Sequence, residues 1–263
     1  TLFPELKEIQ TEVVQCLTDY FEFTPNRVVY KVFNNPNLEV CNQPGGCTGV
    51  EGGSGGADYV MFHNLDGFRE YGQVVPTKAE YLQADVHETT HYFLYQMLHG
   101  LPSWFHEAVA IQTNERLNCS DRQASWGDSY LPEKDGDSGI DLASGKKLDY
   151  AFYRDYRDNK TSLTQTEKEN HYIQATLLIM GLQEDYKCGF DCFKDTIIKL
   201  REYEQNRCAT SSSLCSTEIV GNDWYLGYLG GSELQANQAI KQKFEEVIGK
   251  STSSLFNLVG LDY

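Results

Sequence analysis

Two histidines four residues apart, with a glutamate beside the first, stand in the 263-residue chain as His87-Glu-Thr-Thr-His91. On a helix, positions i and i+4 are separated by about 400° of rotation, so both imidazoles leave one face and can bind one metal ion. Glu88 then sits beside the metal rather than on it, where its carboxylate can take a proton from a metal-bound water. Leu82, Val86, Tyr92, Phe93 and Met97 make the surrounding helix largely apolar. Two imidazoles one turn apart in such a helix are costly without a partner.

A third ligand is needed. The three-histidine arrangement His-Glu-x-x-His-x-x-Gly-x-x-His would require glycine at position 94 and histidine at 97, where the chain has Leu94 and Met97. Instead Leu101-Pro-Ser-Trp-Phe-His-Glu107-Ala-Val-Ala110 opens the next helical stretch, with Glu107 16 residues after His91. A helix–turn–helix hairpin of that length can bring Glu107 back over the first helix. Two neutral histidines and one carboxylate form a common catalytic zinc site whose fourth position is left to water.

His87-Glu-x-x-His91 followed by Leu-Pro-x-Trp-Phe-x-Glu107-x-x-Ala110 resembles the gluzincin class of zinc metallopeptidases, closest to the branch whose second helix carries Trp-x-x-Glu-Gly-x-Ala. The resemblance is close over residues 82–112 and looser to about 200. It implies that His87, His91 and Glu107 bind one zinc ion and that Glu88 is the general base and acid. Two departures stand out: Ala108 replaces the usual Gly, and Ile111 occupies the place of the thermolysin-like Asp that orients a ligand histidine. The first is a small-for-small change; the second removes the chain from the thermolysin subgroup.

The resemblance also implies an α+β, zincin-like fold, with an N-terminal α/β subdomain (about 1–100) carrying the active-site helix and a mainly helical C-terminal subdomain (about 101–263), together one catalytic domain. Substrate in this class lies extended beside an edge strand, and Asp58–His63 is the expected strand. A metallopeptidase needs a donor for the oxyanion of the tetrahedral intermediate. Asn170-His-Tyr172-Ile-Gln-Ala175 opens a helix where related enzymes carry one facing the zinc, making Tyr172 the first candidate and His171 the second, with Tyr150 and Tyr153 as contenders. His63, His99 and His106 read as structural or exposed. Asp135-Gly-Asp137-Ser-Gly-Ile-Asp141 could hold calcium, but it lacks the length and closing Glu of an EF-hand loop, so a solvated acidic loop is the simpler reading.

The elements that must position these residues are legible in outline. Residues 1–24 show helical spacing ended by Pro25, and Arg27–Phe33 and Asp58–His63 read as strands. Residues 34–57 are turn chemistry ending in Gly52-Gly-Ser-Gly-Gly56, with no P-loop Lys-Ser/Thr after it. Helical patterns follow at about 78–98, 104–116, 167–184, 190–206 and 233–249, with an extended loop over 118–149. Strands are thus expected in the first third and helices in the rest.

Composition narrows the class. Asp plus Glu number 38 against 22 Lys plus Arg, a formal charge of -16, which repels phosphate backbones and anionic lipid and disfavours nucleic-acid or membrane-surface partners. The eight cysteines suit an oxidised, secreted protein. Cys41 with Cys47 and Cys208 with Cys215 could close short loops, and Cys188-Gly-Phe-Asp-Cys192 reads as structural. Asn118-Cys-Ser120 and Asn159-Lys-Thr161 are glycosylation sequons. The chain opens at Thr1 without a signal-like stretch, as expected of a processed form. The expectation is a secreted, monomeric zinc endopeptidase acting on a protein or peptide. An aminopeptidase or amidase on the same zinc site is the catalytic alternative, and a binding protein on a zincin scaffold the non-catalytic one.

Overall fold

The computed structural model describes residues 3–25, 29–33, 45–53, 56–64, 78–98, 100–119, 148–159, 163–210 and 232–261. For 3–6, 9, 29–33, 45–53, 56–64, 78–85, 208 and 210 it describes the backbone. The elements are α1 (Phe3–Phe21), β1 (Val29–Phe33), β2 (Gly45–Gly53), β3 (Gly56–Asn64), α2 (Lys78–Met97), α3 (Ser103–Arg116), α4 (Tyr150–Asn159), α5 (Gln165–Lys168), α6 (His171–Tyr186), α7 (Phe190–Thr210), α8 (Glu233–Ile248) and α9 (Ser253–Leu258).

This corrects the expected α+β, zincin-like fold with its N-terminal α/β subdomain. Of the residues whose side chains are described, 80% are helical and none lies in a strand. The buried apolar side chains of both halves come from helices and the turns that join them. The strands expected from the β-branched and aromatic runs at Arg27–Phe33 and Asp58–His63 are present as β1 and β3, while the described apolar side-chain packing of the first third is helix on helix. Among the described residues, strand backbone is confined to one three-stranded sheet of order β1-β3-β2.

The chain divides into two compact units, Thr1–Met97 with Arg116–Trp126, and Leu98–Glu115 with Gly127–Tyr263. In the first, Val13, Leu17 and Phe21 repeat at i, i+4 and i+8 and are buried, the stripe that an amphipathic helix turns to a core. α1 packs on α2, with the Phe21 and Phe93 rings 5.9 Å apart. Glu22 ends α1 by turning into the left-handed region (φ 52°). The Cys16–Cys119 disulfide ties α1 to the segment after α3.

β1 runs parallel to β3 from Val29 opposite Val60, and β2 runs antiparallel to β3 from Gly45 opposite Asn64 to Gly53 opposite Gly56. β3 is therefore the central strand. That corrects its expected role as an edge strand beside an extended substrate, because from Val60 to His63 it is paired on both sides, to β1 and to β2. β2 falls where turns were expected. Five of its nine residues are glycine, a composition with low strand propensity, so its extended form follows from the partner strand rather than from its own side chains.

In the second unit α6 is the buried axis, with every residue from Ile173 to Leu182 buried. Asn170 caps it by accepting from the Tyr172 and Ile173 amides (3.2 and 3.3 Å), satisfying two of the donors a helix start leaves open. Lys187 closes it in the left-handed conformation (φ 56°), and the Cys188–Cys192 disulfide follows at once. α4, α5 and α9 pack on α6, and α7 packs on α8. Trp104 and Phe105 of α3 join Phe193, Phe244 and Phe256 in one aromatic cluster, with ring centroids 5.2 to 6.4 Å apart.

Gly181 sits in a closed place on α6. A Cβ there would collide with Leu255 and lie 2.7 Å from the Tyr153 hydroxyl. Alanine favours a helix over glycine by about 1 kcal/mol, but overpacking a closed core costs about 1–3 kcal/mol, so crowding wins. Gly181→Ala is expected to lower the urea midpoint; a raised midpoint would show that Leu255 yields freely.

Candidate metal centre

α2 carries the paired histidines. Its residues from Val86 to Met97 are buried except for His87, Glu88, Tyr95 and Gln96, which are partly accessible, and His91 is nearly buried at 8% exposure. The two rings meet edge to face, centroids 4.8 Å apart, and their Nε2 atoms are 3.1 Å apart. A tetrahedral ion with Zn–N bonds of about 2.0–2.1 Å sets its nitrogens about 3.3–3.4 Å apart. The helix thus presents two ring nitrogens at close to the edge length of a metal tetrahedron. Thr90, buried between them in sequence, donates its hydroxyl to the Val86 carbonyl at 2.8 Å and adds no competing polar group to that face.

Glu107 lies on α3, where Trp104 to Asn114 are otherwise all buried. It is the one residue of that run whose side chain is partly open, on a helix whose start is fixed by the Phe105 and His106 amides donating to the Pro102 carbonyl (3.0 and 3.2 Å). One ligand atom from each of His87, His91 and Glu107 lies within 4.8 Å of the other two. Among the described residues this is the one such group of metal-ligating side chains. Two imidazoles and one carboxylate are the donor set of a three-ligand zinc site with an open fourth position, so the residues fit the ion.

The other site candidates are placed as follows. Glu88 follows His87 on the accessible edge of α2. Tyr95, one turn beyond His91, shares that partly accessible edge; the i+4 spacing from His91 could have flagged it. His171 and Tyr172 occupy the first turn of α6, both partly buried. His106 is buried at 6% exposure, and the backbone of His63 lies in β3 between Val32 and Gly46. His99, the Asp135–Asp141 loop and the Cys41–Cys47 and Cys208–Cys215 pairings lie outside what is described.

The two contender tyrosines are committed elsewhere. Tyr150 donates its hydroxyl to Gln183 and Tyr153 to Asp185, each at 2.5 Å, so both brace α4 on α6. Burial, reinforced by the Asp185 hydrogen bond, pushes the Tyr153 phenol far above its ordinary value, and burial alone pushes Tyr156 up to about 12. A raised phenol contributes stability that is fully present below the unfolded pKa of about 10 and lost as pH rises beyond it. Each such tyrosine steepens alkaline unfolding by about 1.4 kcal/mol per pH unit. Tyr153→Phe is therefore expected to be less stable at neutral pH yet to lose stability more gently above pH 10 (the unfolded value), measured by urea unfolding across that range.

Comparison of the chain with protein-family models, with curated proteins and with solved structures finds no match. Function has to be argued from the site itself. Among the described residues no helix is long and apolar enough to cross a membrane, and the two disulfides are compatible with an extracellular protein.

Proposed function

We propose that this chain is a secreted zinc endopeptidase of gluzincin type. The observation that carries the reading is the convergence of one atom each from His87, His91 and Glu107 to within 4.8 Å, with Glu88 adjoining the first ligand in sequence. His87, His91 and Glu107 would hold the ion. Zinc supplies Lewis acidity, lowering the pKa of a bound water from 15.7 to about 7 and polarising the scissile carbonyl.

The chain's own groups divide the remaining work. Glu88 takes the proton of the attacking water on its carboxylate and hands it to the leaving amine nitrogen, as a positioned general base and then acid does. Tyr172, or His171 beside it, donates a hydrogen bond to the developing oxyanion. Burial around His91 excludes water and strengthens each of these electrostatic contacts. The substrate is a peptide or protein, and the acidic surface, charge -16, argues against nucleic acid as a partner.

The test is digestion of a mixed peptide library by zinc-loaded protein, read by mass spectrometry, with a chelator-treated sample beside it. Internal cuts that vanish with chelation and return with zinc support an endopeptidase. Cuts confined to amino termini would replace that reading with an aminopeptidase. Absence of cuts from a folded, zinc-loaded protein would overturn both.

A further inference from the structure

The second unit holds a cavity of about 710 Å³ that no step above uses, lined by α4, the end of α6 and the stretch from Lys250 to Leu258. Its size falls within the about 300–1,000 Å³ typical of small-molecule sites. Its chemistry is two-sided: Leu255, Leu258 and the rings of Tyr153 and Tyr186 provide apolar surface, and Arg157 and Lys250 bring positive charge. Its charged lining residues are Arg157, Lys250 and Asp185, two cations against one anion, in a chain whose overall charge is -16.

The hydrogen bonds already made leave donors over. Asp185 has both oxygens engaged, Oδ1 by Arg157 Nη1 at 2.6 Å and Oδ2 by the Tyr153 hydroxyl at 2.5 Å. Arg157 also donates Nε to Asp158 at 3.0 Å, yet a guanidinium has five N–H donors, and its side chain is 35% exposed. Lys250 gives one of its three donors to the Asp185 carbonyl at 3.1 Å and stands 4.6 Å over the Tyr186 ring. Arg157 likewise lies 5.8 Å over Tyr153. Both cations are thus held in place, one by carboxylates and a ring and the other by a carbonyl and a ring, with N–H groups to spare.

We propose that this cavity binds a small organic carboxylate with an apolar body, its carboxylate taken by Lys250 and Arg157 and its body by Leu255, Leu258 and the tyrosine rings. The engaged Asp185 oxygens do not compete for the cations' remaining donors. An apolar acid suits the site better than inorganic phosphate, which would leave the apolar wall uncovered. Two sources share this chemistry, the free C-terminus of a peptide ending in an apolar residue and a free aliphatic acid.

The test is calorimetric titration of the full chain with N-acetyl-leucine, N-acetyl-leucinamide and hexanoate, with Lys250→Gln and Leu258→Ser variants alongside. Saturable binding of an acid that weakens about tenfold in the amide and in Lys250→Gln is expected, the size of one charge-assisted hydrogen bond. Lys250 is exposed, so its variant should remain folded, which thermal melting checks. Leu258→Ser should weaken the acid without altering the preference for acid over amide. N-acetyl-leucine bound more tightly than hexanoate identifies a peptide terminus as the ligand, and the reverse identifies a free acid. Equal binding of acid and amide, unchanged affinity in Lys250→Gln, or no saturation at millimolar concentration would overturn the proposal. None of these readouts depends on the metal centre.

Discussion

Glu88→Gln is expected to bind zinc as the parent protein does and to cleave peptides slower by about two to four orders of magnitude, the contribution of a positioned general base. The substitution keeps the shape and hydrogen-bonding reach of the side chain and removes its ability to accept a proton at neutral pH. Glu88 is not one of the three converging ligand residues, so zinc content measured by native mass spectrometry should stay at one per chain. His91→Ala is the contrasting control: it removes a ligand and should lose metal and activity together. A Glu88→Gln protein retaining more than about a tenth of the parent kcat/KM would sink the assigned role, because a base worth less than tenfold falls short of the usual range.

The largest stability effect is expected at Trp104. Its side chain is fully buried, and its indole Nε1 donates to Asn237 Oδ1 at 2.8 Å. Asn237, itself buried, passes the connection on to the Leu261 carbonyl at 3.4 Å. Trp104→Ala removes a large ring from the aromatic cluster, at about 3–5 kcal/mol, out of a total stability of about 5–15 kcal/mol. Trp104→Phe separates the two contributions, keeping apolar bulk while leaving Asn237 Oδ1 unsatisfied, at about 1–3 kcal/mol. Urea unfolding in excess chelator, so that metal does not stabilise the native state by mass action, should rank parent above Trp104→Phe above Trp104→Ala. If Trp104→Ala cost less than about 1 kcal/mol, Trp104 would not be the keystone of that core.

The grouping of His87, His91 and Glu107 was the most legible feature of the chain, because its information is local. An i, i+4 histidine pair needs only one helix to converge, and the Pro102 and Ser103 start of α3 marks where the next helix must begin. The sheet was least legible. β2 consists largely of glycine, whose lack of side chain removes the alternation that announces a strand, so only its ladder with β3 reveals it. β3 reads as an apolar strand, but its central position depends on which neighbours pair with it, and no residue within Asp58–His63 encodes that. The overall class was carried over from a motif resemblance close only over residues 82–112, which holds no information on how the rest of the first unit packs; there the long amphipathic α1 and α2 supply the described core. α4 was hidden by its own surface, since Tyr150, Tyr153 and Tyr156 recur at helical spacing among charged residues and are buried through their contacts with α6.

The Cys16–Cys119 bridge spans 103 residues, and within that covalent ring lie His87, Glu88, His91 and Glu107. A single backbone nick anywhere between the two cysteines, whether by this protein on its own copies or by another protease, opens the ring without releasing a fragment. The nicked chain migrates as one band on a non-reducing gel and as separate pieces only after thiol treatment. Clipping therefore goes unnoticed in a preparation checked only on a non-reducing gel, and every proposed ligand remains tethered to the same molecule.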